Sequence, residues 1–232
     1  MSDRRLVTAA LNNARWCAAV WAAHGLPVRR SDGMWFTPVR APQYYPNVVT
    51  VDPLADRRAQ VALITELAAQ SADFSVKDSF AALDLSVCGL EPLFAAHWLW
   101  CDASHLSCGA SHLAWTRVDD AAGLELWEQA WRGGPANLPR IFLPELLGDE
   151  RVWVLPGVDA VGELKAGGVG YDADGAMGIS NIFGAPEDFL AAVMRLTAPR
   201  RIVGYEQAAA RRALEKQGFE VLGELRVWRH SA

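Results

Sequence analysis

GLEPLFAAHWLWCD, at Gly89–Asp102, and GFEVLGELRVWRH, at Gly218–His230, are nearly one phrase written twice. Each opens on Gly, a large apolar residue and Glu, then alternates as a half-buried strand does and carries Trp near its end. Working outward, EQAAARRALEKQG (206–218) precedes the second phrase and reads as a helix that Gly218 ends. KDSFAALDLSVCG (77–89) precedes the first and predicts a helix ended by Gly89. The repeated unit is therefore helix, Gly, strand.

The flanks extend the match. RLVTAALNNARWCAAVWAAH (5–24) has helical apolar spacing, with Gly25 and Pro27 stopping it. GMWFTPV (33–39) and 47–51 predict strands, VALITELAAQ (61–70) a helix and FSV (74–76) a strand. In the second half, AAGLELWEQAWRG (121–133) predicts a helix whose Trp127 and Trp131 answer Trp16 and Trp21. ERVWVLPG (150–157) predicts a strand whose Trp153 answers Trp35. AVGELKAGGVGYD and GAMGISNIF are two strands joined by a D-A-D-G turn, 185–198 is a helix and RIVGY a strand. Asn47-Val-Val-Thr and Asn181-Ile-Phe-Gly look like a shared strand motif. The interval between Gly89 and Gly218 far exceeds the roughly 20–50 residues of a solenoid repeat, and suits a duplicated half with an extra hairpin in the second copy.

Composition removes several classes. The 232 residues are 51% hydrophobic and 21% charged, as globular chains are. A formal charge of −5 gives nucleic acid no basic footprint. No apolar run approaches the roughly 20 residues of a membrane span, and MSDRRLVTAALNNARW reads as a helix start rather than a leader. Four cysteines without a secretion signal predict reduced thiols in a cytoplasm. No G-x-S-x-G, P-loop or H-E-x-x-H occurs.

Gln207-Ala-Ala-Ala210-Arg-Arg-Ala213-Leu214-Glu-Lys-Gln-Gly218-Phe219 resembles the N-x-x-A-x-x-L-Y-x-x-x-G-F pattern of the GNAT superfamily of N-acetyltransferases. Ala210, Gly218 and Phe219 match, and Gln207 stands where Asn is usual. The resemblance runs from about residue 115 onward, with a fainter copy before it. It implies an α+β GNAT-like acyl-CoA N-acyltransferase fold in two tandem related units with mixed, largely antiparallel sheets: 1–104 a degenerate half, 113–232 the acyltransferase domain. It further implies acetyl-CoA or a related acyl-CoA as co-substrate and a small-molecule primary amine as acceptor. Asn181, Ile182, Phe183, Gly184, Ala185 and Gln207 would hold the cofactor, through strand backbone and helix N-terminal amides. Two departures favour the alternative of an inactive GNAT-fold module that binds a small ligand or protein partner. The usual glycine-rich loop is here Gly184-Ala-Pro-Glu-Asp188, with a Pro that cannot donate and two carboxylates that repel phosphate. The position of the usual Tyr general acid holds Leu214, and Leu85 in the first copy.

Glu163, Tyr205 and Glu206 are candidates for the general base that an attacking amine requires. Their plainer reading is surface charge or helix-opening residue. Cys101, His105, Cys108 and His112 put four soft donors in twelve residues, but no ββα finger surrounds them. A polar connector without metal is the expectation there. The tryptophans read first as core. A flat aromatic seam at Trp98, Trp100 and Trp228 could bind a ligand or a second copy in a homodimer.

Overall fold

The computed structural model describes residues 3–134 and 138–230, so Met1 and Ser2 of the expected helix start lie outside it. The chain divides into two compact units. One holds the residues up to Trp98 together with those from Leu222 onward, and the other is Leu99–Val221.

The first unit begins with α1 (Arg4–Ala23), capped by the Asp3 carboxylate and ended at His24. Strands β1 (Arg29–Ser31), β2 (Met34–Phe36) and β3 (Val48–Thr50) follow, then α2 (Arg57–Ala68) and β4 (Ser75–Asp78). β1–β2 and β2–β3 pair antiparallel, while β3–β4 pair parallel across the α2 connection. β5 (Leu90–Asp102) and β11 (Glu220–His230) complete this sheet in the order β1-β2-β3-β4-β11-β5. Its core sets Met34, Phe36, Val48, Val76 and Trp228 against Ile64 and Leu67 of α2.

The second unit contains β6 (Ala114–Trp115), α3 (Ala121–Trp131), β7 (Val152–Val158), β8 (Leu164–Ala173), β9 (Ala176–Phe183), α4 (Pro186–Thr197), β10 (Arg201–Glu206) and α5 (Ala208–Lys216). Its sheet runs β5-β10-β9-β8-β7-β6. The β6–β7, β7–β8 and β8–β9 pairs are antiparallel and β9–β10 is parallel. Leu99, Leu155, Phe189, Leu190, Ile202, Leu214 and Phe219 are among the buried residues of its core. The architecture is α+β, and its strand pairing is mixed and largely antiparallel.

Three expectations fail for physical reasons. Residues 77–89 are not a helix: β4 runs through Asp78, turns follow, and only Ser86–Cys88 make a short 3-10 turn. The buried Asp78 carboxylate accepts the amides of Leu83 (2.8 Å) and Phe80 (3.3 Å), and Ala81 adopts φ 47°. A side chain thus takes amides that a helix would give to its own carbonyls. The second half has no extra hairpin, because the first has its own in β1–β2. Asp32 (φ 51°) and Gly33 (φ 69°) make the two-residue turn with both φ positive that tight hairpins favour. β1 escaped notice because Arg29, Arg30 and Ser31 are all exposed and leave no apolar alternation. Lastly, Asn47 and Asn181 do not correspond. In the parallel pairs Val48 faces Val76 and Met177 faces Ile202, so Asn47 precedes its strand whereas Asn181 stands near the end of β9.

Candidate functional site: a forked strand pair

The parallel pair β9–β10 is joined through Ile202↔Met177 and Val203↔Gly178. Gly204 still lies close to Ile179: a Cβ there would stand 2.9 Å from the Ile179 side chain. Beyond that point β9 continues through Phe183 and β10 through Glu206 with no further paired positions among the described residues. The cause is in β9. Its register against β8 steps from Val169↔Ser180 to Gly167↔Phe183, so one extra residue is inserted, and Asn181 turns to φ 53°. A bulge of this kind bends its strand and interrupts the ladder. Asn181, Ile182 and Phe183 therefore line one arm of a fork, and Tyr205 and Glu206 the other, all half-buried.

Each arm runs into a helix N-terminus. The α4 N-cap is Ala185 and the α5 N-cap is Gln207, and neither has a side-chain capping bond. Helices α1, α2 and α3 are capped by Asp3, Asp56 and Asp120. An N-terminus without a side-chain cap presents amides that favour an anion. The opposing feature is Glu187 and Asp188 in the first turn of α4. Gly184 is required both by its positive φ (74°) and by packing, since a Cβ there would sit 2.5 Å from the Lys165 carbonyl. Pro186 at the first helical position has no N–H to offer.

Burial raises the Glu206 carboxyl above its ordinary value, only partly offset by the Gln207 amide. A carboxylate moved toward neutrality suits proton abstraction. Glu163 stands apart, exposed in the turn before β8, where it pairs with Lys165. Leu214 is a core residue at 2% exposure. The connector ligands do not assemble: among the described residues no group of three or more His, Cys, Asp or Glu could hold a metal ion. Cys101 is buried, and burial with neighbouring acids pushes its thiol up to about 11. Trp98, Trp100 and Trp228 are buried packing residues and form no open seam.

One group escaped the sequence reading. Glu128 is a buried charged residue of this unit, and the side chain of its partner Arg132 is nearly as buried. Its oxygens accept Arg132 Nε and Nη2 (3.1 and 2.9 Å), Arg140 Nε (3.1 Å) and the amides of Ile141 (2.8 Å) and Phe142 (3.3 Å). Burial opposes its ionisation, but these donors outweigh burial and hold the carboxyl below its ordinary value. The i,i+4 spacing of Glu128 and Arg132 was the available signal.

No protein-family model matches the chain, and no curated protein matches it in sequence. Solved structures do. A GCN5-related N-acetyltransferase from Kribbella flavida superposes with a TM-score of 0.59 at 12% identity, over 94% of this chain and 95% of that one. A functionally unknown conserved protein from Staphylococcus epidermidis gives 0.61 at 10% identity, over 88% and 93%. A GNAT-family protein from Novosphingobium aromaticivorans gives 0.54 at 13%, over 92% and 97%. At such identities the likeness is one of fold: this chain has the GNAT fold. No helix among the described residues is long and apolar enough to cross a membrane.

Proposed function

We propose that the protein is an acyl-CoA-dependent N-acyltransferase, moving an acyl group from acetyl-CoA or a related acyl-CoA to a small primary amine. The observation that carries this reading is the fork of β9 and β10, opened by the Asn181 bulge and flanked by two helix N-termini without side-chain caps. The backbone of Asn181–Phe183 would lie along the pantetheine arm. The amides at the start of α4, with those of α5 beside Gln207, would meet the pyrophosphate. Glu206 takes a proton from the amine. The neutral amine nitrogen then attacks the thioester carbonyl, a C–N bond forms with loss of the nitrogen's second proton to water, the C–S bond breaks, and CoA leaves as its thiolate. Leu214 cannot protonate that thiolate, so water or Tyr205 supplies the proton. The two units would derive from a duplication whose first copy has worn down. Its support is the same succession of two antiparallel pairs and then a parallel one in β1–β4 and β7–β10. Four free cysteines suit a reducing cytoplasm.

The second reading, a GNAT-fold module for another ligand, is favoured by Glu187 and Asp188 at the phosphate end and by the Leu214 position. A calorimetric titration with acetyl-CoA and with free CoA, repeated over a salt series, separates the two. Micromolar binding that weakens with salt supports the acyltransferase. The absence of binding to either at low salt leaves the module.

A further inference from the structure

The Glu128 clamp lies beside the fork and is elaborate for a purely structural tie. A buried ion pair is often replaceable by apolar packing without loss of stability, and what this one visibly does is fix geometry. Two consecutive amides, Ile141 and Phe142, are fixed on one carboxylate. Arg132 further donates to the Pro139 carbonyl (2.7 Å) and Arg140 to that of Phe142 (3.0 Å). Residues 139–142 are therefore tied to the end of α3 through the Ile141 and Phe142 amides and the Pro139 carbonyl.

The pinned residue Phe142 meets Trp127 edge-on at 5.1 Å and Trp131 edge-on at 5.5 Å. Trp127 in turn meets Phe183 at 5.9 Å. Phe183 is the last residue of β9, immediately after the bulge. Gly167 makes this approach feasible: a Cβ there would fall 2.6 Å from the Phe183 ring and 2.7 Å from Trp127 Nε1. Trp127 and Phe142 are wholly buried, whereas Trp131 and Phe183 remain partly exposed. The Glu128 charge is met by two guanidinium groups, and the rings of this cluster that remain partly exposed are those of Trp131 and Phe183.

Resting on the acyltransferase reading, we infer that Glu128 is a positioning residue: it fixes Phe142 against Trp127 and Trp131, the buried Trp127 backs Phe183, and the partly exposed rings of Trp131 and Phe183 form an aromatic wall that receives the aryl body of the acceptor amine. Aromatic rings prefer offset or edge-on partners to aliphatic ones, which sets a preference of about tenfold for an aryl amine over an alkyl amine.

Two calorimetric titrations of the full chain test this, one with phenethylamine and one with n-butylamine. Phenethylamine should bind about tenfold more tightly. Trp131→Ala, at a half-exposed position, should remove the preference while circular dichroism shows the fold intact. Glu128→Gln should raise the KM for phenethylamine about tenfold or more and leave acetyl-CoA affinity within about twofold, a split that general destabilisation does not produce. Leu146→Ala, which removes a buried residue outside the wall, should lower thermal stability without that split. Equal binding of the two amines, no binding of either, or a preference that survives in Trp131→Ala overturns the inference. Acetyl-CoA binding without an aryl preference rejects this wall and spares the acyltransferase reading. An aryl preference without acetyl-CoA binding does the reverse.

Discussion

Each unit contains a parallel strand pair joined by a helix, but one pair is closed and the other is forked. At β3–β4 the amide of Ser79, just past the strand, donates to Thr50 Oγ1 at 2.8 Å inside the protein. The helix that joins the two strands, α2, is capped by Asp56. Polar groups that a ligand could have used are spent on the protein itself. At β9–β10 the inserted residue parts the strands, and α4 and α5 start without side-chain caps. Two forks with the same connectivity therefore differ by one inserted residue and one capping side chain. The first unit is built to be stable, and the second is left with groups that favour an anion.

The largest expected effect comes from making the second fork like the first. Ala185→Asp puts a capping carboxylate at α4 and should raise stability by about 1 kcal/mol. It should also weaken acetyl-CoA binding about 100-fold or more, because the carboxylate occupies the amides and repels phosphate. Paired thermal melts and calorimetry check both signs. Unchanged affinity would detach the α4 N-terminus from cofactor binding.

Glu206→Gln should lower kcat by about 100-fold, the range of a lost general base, with acetyl-CoA affinity preserved. Its stability effect runs the other way. The folded carboxyl is raised by burial, so the stability contributed by its protonated form is complete below the unfolded value and is lost as pH rises through the folded value. The Gln variant should therefore melt slightly higher than the parent at neutral pH and show no such gain in acid. Glu128 has the opposite sign: its carboxyl is held low, so its stabilisation is present at neutral pH and disappears as pH falls through the folded value.

In the closed unit, Thr50→Val keeps the shape but orphans the Ser79 amide, at a cost of about 1–3 kcal/mol. Denaturant melts should register that loss while acetyl-CoA affinity stays put. The smallest effect is expected for Glu187→Gln. Removing one repelling charge should tighten acetyl-CoA binding a few-fold, at the expense of about 0.3–1 kcal/mol of helix stability.

How much of this was readable in the sequence differs between the same two regions. The D-A-D-G turn, Pro186 and Gly218 punctuate the second half, so β8, β9, α4, β10, α5 and β11 were foreseen close to their actual bounds. In the first half the helical spacing of 77–89 misled, because Asp78 folds back onto amides that spacing cannot reveal. The fork was only partly legible. Residues 181–185 were singled out through a resemblance, and nothing in GISNIFG announces a bulge, since Asn181 owes its backbone angle to the pairing with β8. The Glu128 clamp depends on amides 13 and 14 residues away, which helix spacing does not encode. Local signals reached the elements, and tertiary hydrogen bonding determined the site.

The most direct test of the difference between the two forks is the stoichiometry and salt dependence of acetyl-CoA binding, measured by calorimetry on the parent chain and on Ala185→Asp. One equivalent per chain, weakened by salt and abolished by the substitution, is the result expected of one closed and one open fork. Two equivalents per chain, or binding indifferent to Ala185→Asp, would contradict it.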